Sequence, residues 1–154
     1  MGLTYNMAWI ASHAELAQTS CGDYWRVALA VACHESANPK SGLVGDSAVA
    51  HNARNLHGIK AVYEQARAGN GVHRLFLDEL GTWQAFGRLM NNSEYYSHVR
   101  NRVALAKANG ANDYQIDRVA IHAMANPYCV SDPDWPEKVT KWLDLVHEVT
   151  SNQE

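Results

Sequence analysis

His34-Glu35 ends an apolar run, Val27 to Cys33, and is followed by a polar stretch, Asn38 to Asn55, that holds Pro39, Gly42 and Gly45. A histidine beside a glutamate first suggests a zinc hydrolase, but H-E-x-x-H requires a second histidine where Asn38 stands. The other seven of the eight histidines show no metal-ligand spacing, so neither a metal nor an organic cofactor is expected. G-x-S-x-G is absent, as is any glycine-rich phosphate loop, which leaves a serine hydrolase or P-loop enzyme without support. Glu35 remains. In the last turn of a helix the negative end of the macrodipole opposes a carboxylate, and apolar neighbours oppose it again by desolvation. Both effects favour the neutral acid, the form that can protonate a leaving oxygen such as that of a glycosidic bond. An exposed helix-end glutamate with no chemical role fits the same residues.

The elements that would position Glu35 read as helices nearly throughout. Asn6 to about Gln18 forms a first helix, with Met7, Ile10, Ala11 and Ala14 on one side. Asp23 is placed to cap a second, Tyr24 to about Ser36, whose Trp25, Ala28, Leu29 and Ala32 make one buried stripe. Counting about 100° per residue from Trp25 puts Glu35 at the border of that stripe. Asn38 to Asn55 has room for only a short helix near Ala48, and a loop of that length suggests function. A short helix is expected over Lys60 to Arg67. Asp78 can cap Glu79 to Met90, and Ser93 can cap Glu94 to Ala108. Asn112 with Gln115 makes a capping box for Asp113 to Ala125, and Asp134 with Glu137 repeats it before Trp135 to Val149. Val72 to Leu77 is the one weak strand candidate. The expectation is a mostly α domain over residues 1–154, with six or seven helices and at most a small β-hairpin.

Composition agrees with a core-forming chain: 154 residues, 47% hydrophobic and 19% charged. The net charge of −3 argues against a nucleic-acid partner, which would need clustered excess Lys and Arg. It also argues against gross charge attraction to an anionic cell wall. Three cysteines cannot all pair within the chain; Cys33 reads as core, and a Cys21–Cys129 bridge is not expected. Val27 to Cys33 is too short to span a bilayer, so no membrane insertion is expected. No basic leader precedes an apolar run, so no signal peptide is expected either.

Ordered segments of the chain resemble the glucosaminidase domain of glycoside hydrolase family 73. They are VALAVACHES at Val27 to Ser36, GDSAVA at Gly45 to Ala50, NARNLHGIKA at Asn52 to Ala61, and YCVSDPDWPEKV at Tyr128 to Val139. Between them, FLDELGTWQAFGRLMNNSEYYSHV resembles the family's helix that leads into an aromatic stretch. The resemblance runs from about Trp25 to the last helix. It implies a lysozyme-like α fold and a monomeric endo-β-N-acetylglucosaminidase acting on the β-1,4 glycan strand of peptidoglycan. Such a protein would be made in the cytoplasm and reach the wall by lysis or delivery, as a phage-type lysin does.

By position, the resemblance implies that Glu35 is the catalytic acid. It implies that Asn55, His57, Tyr128 and Asp132 contribute to the substrate cleft, and Tyr63 is a further sugar-stacking candidate with Tyr95 and Tyr96. Trp25, Trp83 and Trp142 recur at helical spacing and are expected in the core. Arg54 and His57 depart from the family pattern, the terminal tyrosine is displaced by one position, and the hairpin after G-I-K is shortened to about Val62 to Val72. Glu64 is the preferred second carboxylate, followed by Asp46; substrate-assisted attack by an N-acetyl group needs neither. The alternatives are a lytic transglycosylase or muramidase on the same fold, and a catalytically inactive wall-binding or phage-particle component.

Overall fold

A computed structural model describes residues 2–60, 73, 74, 76 and 78–151. Among them the fold is mostly α. The helices are α1 (Gly2–Cys21), α2 (Trp25–Ser36), α3 (Ala48–Ala53), α4 (Glu79–Asn92), α5 (Ser97–Ala108), α6 (Asp113–Tyr128) and α7 (Trp135–Ser151). Two 3-10 turns, Gly22–Tyr24 and Glu94–Tyr96, lead into α2 and α5. The only β pairing among the described residues is an isolated antiparallel bridge between Lys60 and His73, extended by Arg74 N–H to Ile59 O at 2.9 Å. The expected helix over Lys60 to Arg67 and the shortened hairpin lie outside the described residues, Lys60 itself excepted.

Sequence expects one buried stripe on α2, yet every residue from Val27 to Cys33 is fully buried. An apolar helix buried all round belongs at the centre of a fold. Accordingly α2 packs on α7 and α1 and also meets α4 and α6. One cluster of buried side chains joins Ile10, Leu29, Phe86, Val99, Ile121 and Leu143, drawing on each of the longer helices. The α1–α4 crossing needs Gly87: a Cβ there would stand 2.1 Å from the carbonyl oxygen of Ser20. Beside it Cys21 donates its thiol to Trp83 O at 3.4 Å, and Asn91 Nδ2 donates to Cys21 O at 3.0 Å. All three cysteines are free, and burial pushes the Cys21 thiol up to about 12.

Several caps form where the sequence places them. Asp78 accepts from Gly81 N–H at 3.1 Å. Asn112 and Gln115 exchange both bonds of a capping box at 2.9 Å. Asp23 does not cap α2; it lies in the preceding 3-10 turn, and its carboxylate is 3.2 Å from Lys107 Nζ. Ser93 caps the Glu94–Tyr96 turn, and α5 starts only at Ser97. α1 extends beyond its expected ends, and α6 breaks at Asn126 (φ −113°, ψ 112°), just after the expected end at Ala125, before a short last turn to Tyr128. His98 spans the break: its Nε2 lies 2.9 Å from the carbonyls of both Ala123 and Asn126.

Candidate active site

Glu35 occupies the last turn of α2, where the chain leaves the core, and its side chain is half-buried. Ser36 fixes that exit. Its hydroxyl donates to Ala32 O at 2.5 Å and accepts from Gly45 N–H at 2.8 Å, and its carbonyl accepts from the N–H groups of Asp46 and Ser47. Asn6 of α1 holds the same loop, donating to Gly42 O and accepting from Val44 N–H, both at 3.1 Å. The glycine-bearing stretch is therefore tied down on two sides.

Two side chains arrive from the far end of the chain. The indole N–H of Trp135, at the start of α7, donates to Glu35 Oε1 at 2.9 Å. Trp135 is almost fully buried, so the bond fixes the carboxyl on a rigid support. The turn that delivers Trp135 is built by Asp132, whose carboxylate accepts from Asp134 N–H at 3.0 Å and pairs with Lys138 at 2.8 Å. Both bonds hold Asp132 below the usual carboxylate range. Tyr128 lies against Trp135, ring centroids 5.4 Å apart, and its hydroxyl donates to His57 O. Burial, and then the charge of Glu35, raise the Tyr128 hydroxyl well above its ordinary value, so it stays a neutral donor.

The third wall is the segment 54–60. Gly58 has φ +67°, and a Cβ there would come within 3.1 Å of Glu35 Oε2. Only glycine meets both demands without strain. Asn55 shapes this turn: buried, it donates to Ile59 O at 2.7 Å and Arg74 O at 3.1 Å and accepts from Ile59 N–H at 3.0 Å. His57 is fully buried, with Nε2 3.1 Å from Ala28 O and Nδ1 2.8 Å from Thr82 Oγ1. A carbonyl only accepts, so the proton belongs on Nε2 and the Thr82 hydroxyl donates to Nδ1. Burial pulls the imidazole down to about 3. The ring stacks on Phe86 and stands edge-on to Trp83. On the other side of Glu35, burial holds His34 below its ordinary value despite the neighbouring carboxylate.

The segments around Glu35, Asn55 and Tyr128 thus meet in space, while several of their polar side chains turn inward. The resemblance implies a place in the substrate cleft for Asn55 and His57. The structure instead makes Asn55 the internal brace of the turn and His57 a core histidine, because their hydrogen-bonding atoms find partners inside the protein. Asp132 braces the α7 turn, and Asp46 is held by His51 Nε2 at 2.7 Å and Asn38 Nδ2 at 3.3 Å. Glu64 and Tyr63 lie outside the described residues. Trp83 is fully buried as expected, while Trp25 and Trp142 are only half-buried. Trp135, the side chain that touches Glu35, was not singled out; its place in the aspartate-proline segment was the available signal.

Gly58 and Tyr128 border a hollow of about 240 Å³ that Ile59, Leu89, Tyr95 and Tyr96 also line. Comparison with protein-family models, with characterised proteins and with solved structures finds no match. No helix among the described residues is long and apolar enough to cross a membrane.

Proposed function

We propose that this protein is a glycosidase that cleaves the β-1,4-linked glycan strand of bacterial peptidoglycan, on the N-acetylglucosamine side, with Glu35 as general acid. The observation that carries the reading is the setting of one carboxyl. Glu35 Oε1 is engaged by the Trp135 indole, while Oε2 faces a glycine whose missing side chain leaves room beside a hollow lined by tyrosines. Catalysis by a positioned acid needs a fixed carboxyl with an oxygen near the leaving group. The arrangement supports that role, and the ordered segments resembling glucosaminidases supply the substrate class.

In this reading the Glu35 carboxyl donates its proton from Oε2 to the glycosidic oxygen as the C–O bond breaks. The developing oxocarbenium ion is then captured by water or by the neighbouring N-acetyl oxygen. Tyr95, which is 80% exposed, offers a ring face for a sugar. Trp135 and Tyr128 act by position: one orients the acid, the other anchors the 54–60 segment beside it. The substrate lies in the cell wall, so the protein works there after release or delivery.

The test is mass spectrometry of borohydride-reduced fragments from purified peptidoglycan. New N-acetylglucosamine reducing ends are expected. Reducing ends at N-acetylmuramic acid would make it a muramidase, and 1,6-anhydro ends would make it a lytic transglycosylase. Undigested strands would contradict a catalytic role.

A further inference from the structure

The hollow bordered by Gly58 and Tyr128 is the middle of a longer run. It shares Ile59, Lys60 and Leu89 with a hollow of about 380 Å³ on one side. It shares Tyr95 and Pro127 with one of about 500 Å³ on the other. Charge is distributed unevenly along this run. Lys60, Arg74 and Arg88 line the first hollow, and Arg102 the last. The chain has sixteen acidic residues and a net charge of −3, yet no described Asp or Glu lines any of the three. A groove walled by one sign of charge concentrates ligands of the opposite sign whatever the net charge.

Neutral sugars alone would not call for this distribution, since sugar rings need aromatic faces and hydrogen bonds. An uncharged glycan would offer no counter-charge to the three cations at one end, where no described carboxylate lines the hollow. We propose that this end, formed by Lys60, Arg74 and Arg88, binds carboxylates of the peptide stems carried by the glycan strand. The protein therefore selects stem-bearing peptidoglycan over the bare polysaccharide. This rests on the glycan-cleaving reading above and adds its specificity. The Arg74 guanidinium lies 4.8 Å over the Phe76 ring, and its carbonyl is held by Asn55. Arg88 projects from α4 and Lys60 from the segment that carries Gly58; both are exposed. The cations thus follow in chain or in space from the turn that braces the acid, so a stem docked there would help set the strand's register against Glu35.

Binding and cleavage are measured separately on two soluble glycan preparations of matched length, one with stems and one stripped of them by an amidase and then capped as methyl amides at the freed lactyl carboxyls, so that only the first carries carboxylates. Fluorescence anisotropy with Glu35→Gln protein reads binding without turnover. About tenfold tighter binding of the stem-bearing glycan is expected, with the preference eroding between 50 and 200 mM salt because the pairs are exposed, at about one Debye length of screening. Adding Lys60→Gln and Arg88→Gln, both at exposed positions, should close most of the gap; Arg88→Glu alone should narrow it too. Equal affinity for the two glycans, or a gap untouched by these substitutions in a folded protein, overturns the proposal. If the preference appears while wild-type protein cleaves neither glycan, the groove assignment stands and the glycosidase reading falls.

Discussion

Asp117 and Glu35 are two of the three described carboxylates with a ring nitrogen within hydrogen-bond distance, Asp46 being the third, and what surrounds them differs. Asp117, on α6, is 4% exposed, and its Oδ2 lies 2.7 Å from Nε2 of His147 on α7. Tyr114 closes over the pair, edge-on to the imidazole at 5.2 Å. Burial holds the Asp117 carboxyl above its ordinary value, with His147 pulling the other way. Glu35 has a partner that exchanges no proton, a glycine where another side chain would stand, and solvent at its edge. A carboxylate enclosed with a basic partner joins two helices. One fixed through a single oxygen, with a glycine against the other, is the arrangement on which the proposed proton transfer rests.

That contrast can be broken from either side. The largest effect is expected at the enclosed pair. Asp117→Ala leaves His147 without its partner and should cost about 3 kcal/mol in urea unfolding, with glycan cleavage per folded molecule unchanged. Loss of cleavage without loss of stability would exchange the two roles.

Gly58→Ala attacks the open side. A left-handed backbone costs a residue with a Cβ about 1 kcal/mol, and the new methyl group would press on Glu35 Oε2. Cleavage should fall by roughly tenfold to a hundredfold, well beyond the stability loss. An alanine variant with full activity would show that Glu35 needs no free space there.

The buried His57 sharpens the comparison through pH. Its folded imidazole resists protonation down to about 3, whereas the unfolded chain takes up that proton near 6.5. Stability is therefore intact above pH 6.5 and is lost as pH falls toward 3, by up to about 1.4 kcal/mol per unit. Between pH 6.5 and 5 the loss should approach about 2 kcal/mol. His57→Phe, which can keep the ring stack on Phe86, should have a flatter acid limb in urea midpoints. An identical limb would place the acid-sensitive group elsewhere.

The smallest effect is expected from Trp135→Phe, which removes the indole N–H but keeps an aromatic ring. It should lower kcat about tenfold with KM nearly unchanged. A change confined to stability would reduce Trp135 to packing.

Local physics made much of the fold legible. The Asn112–Gln115 box and the Asp78 cap are formed by residues three apart, so their partners are visible in the sequence itself. The position of Glu35 followed from its apolar neighbours and the polar stretch after it. What was hidden depends on distant pairings. The Trp135–Glu35 bond spans a hundred positions. The fate of His57 was set by Ala28 and Thr82, each more than twenty positions away. In the sequence His57 is a polar residue in a cleft segment; in the fold, partners on α2 and α4 draw it inward. The basic lining of one hollow was masked by the negative net charge, because Lys60, Arg74 and Arg88 come together only when α4 is placed beside the 54–60 segment. Glu35 itself stayed where its sequence environment put it.

The central claim is tested most directly by Glu35→Gln, which keeps the shape of the side chain and an oxygen for the Trp135 indole. Purified peptidoglycan incubated with wild type and variant, and followed by turbidity, separates the outcomes. Cleavage is expected to fall at least about a hundredfold, the contribution of a positioned general acid, with an unfolding midpoint within about 2 °C of wild type. A folded Glu35→Gln protein that clears the wall as fast as wild type would contradict the account.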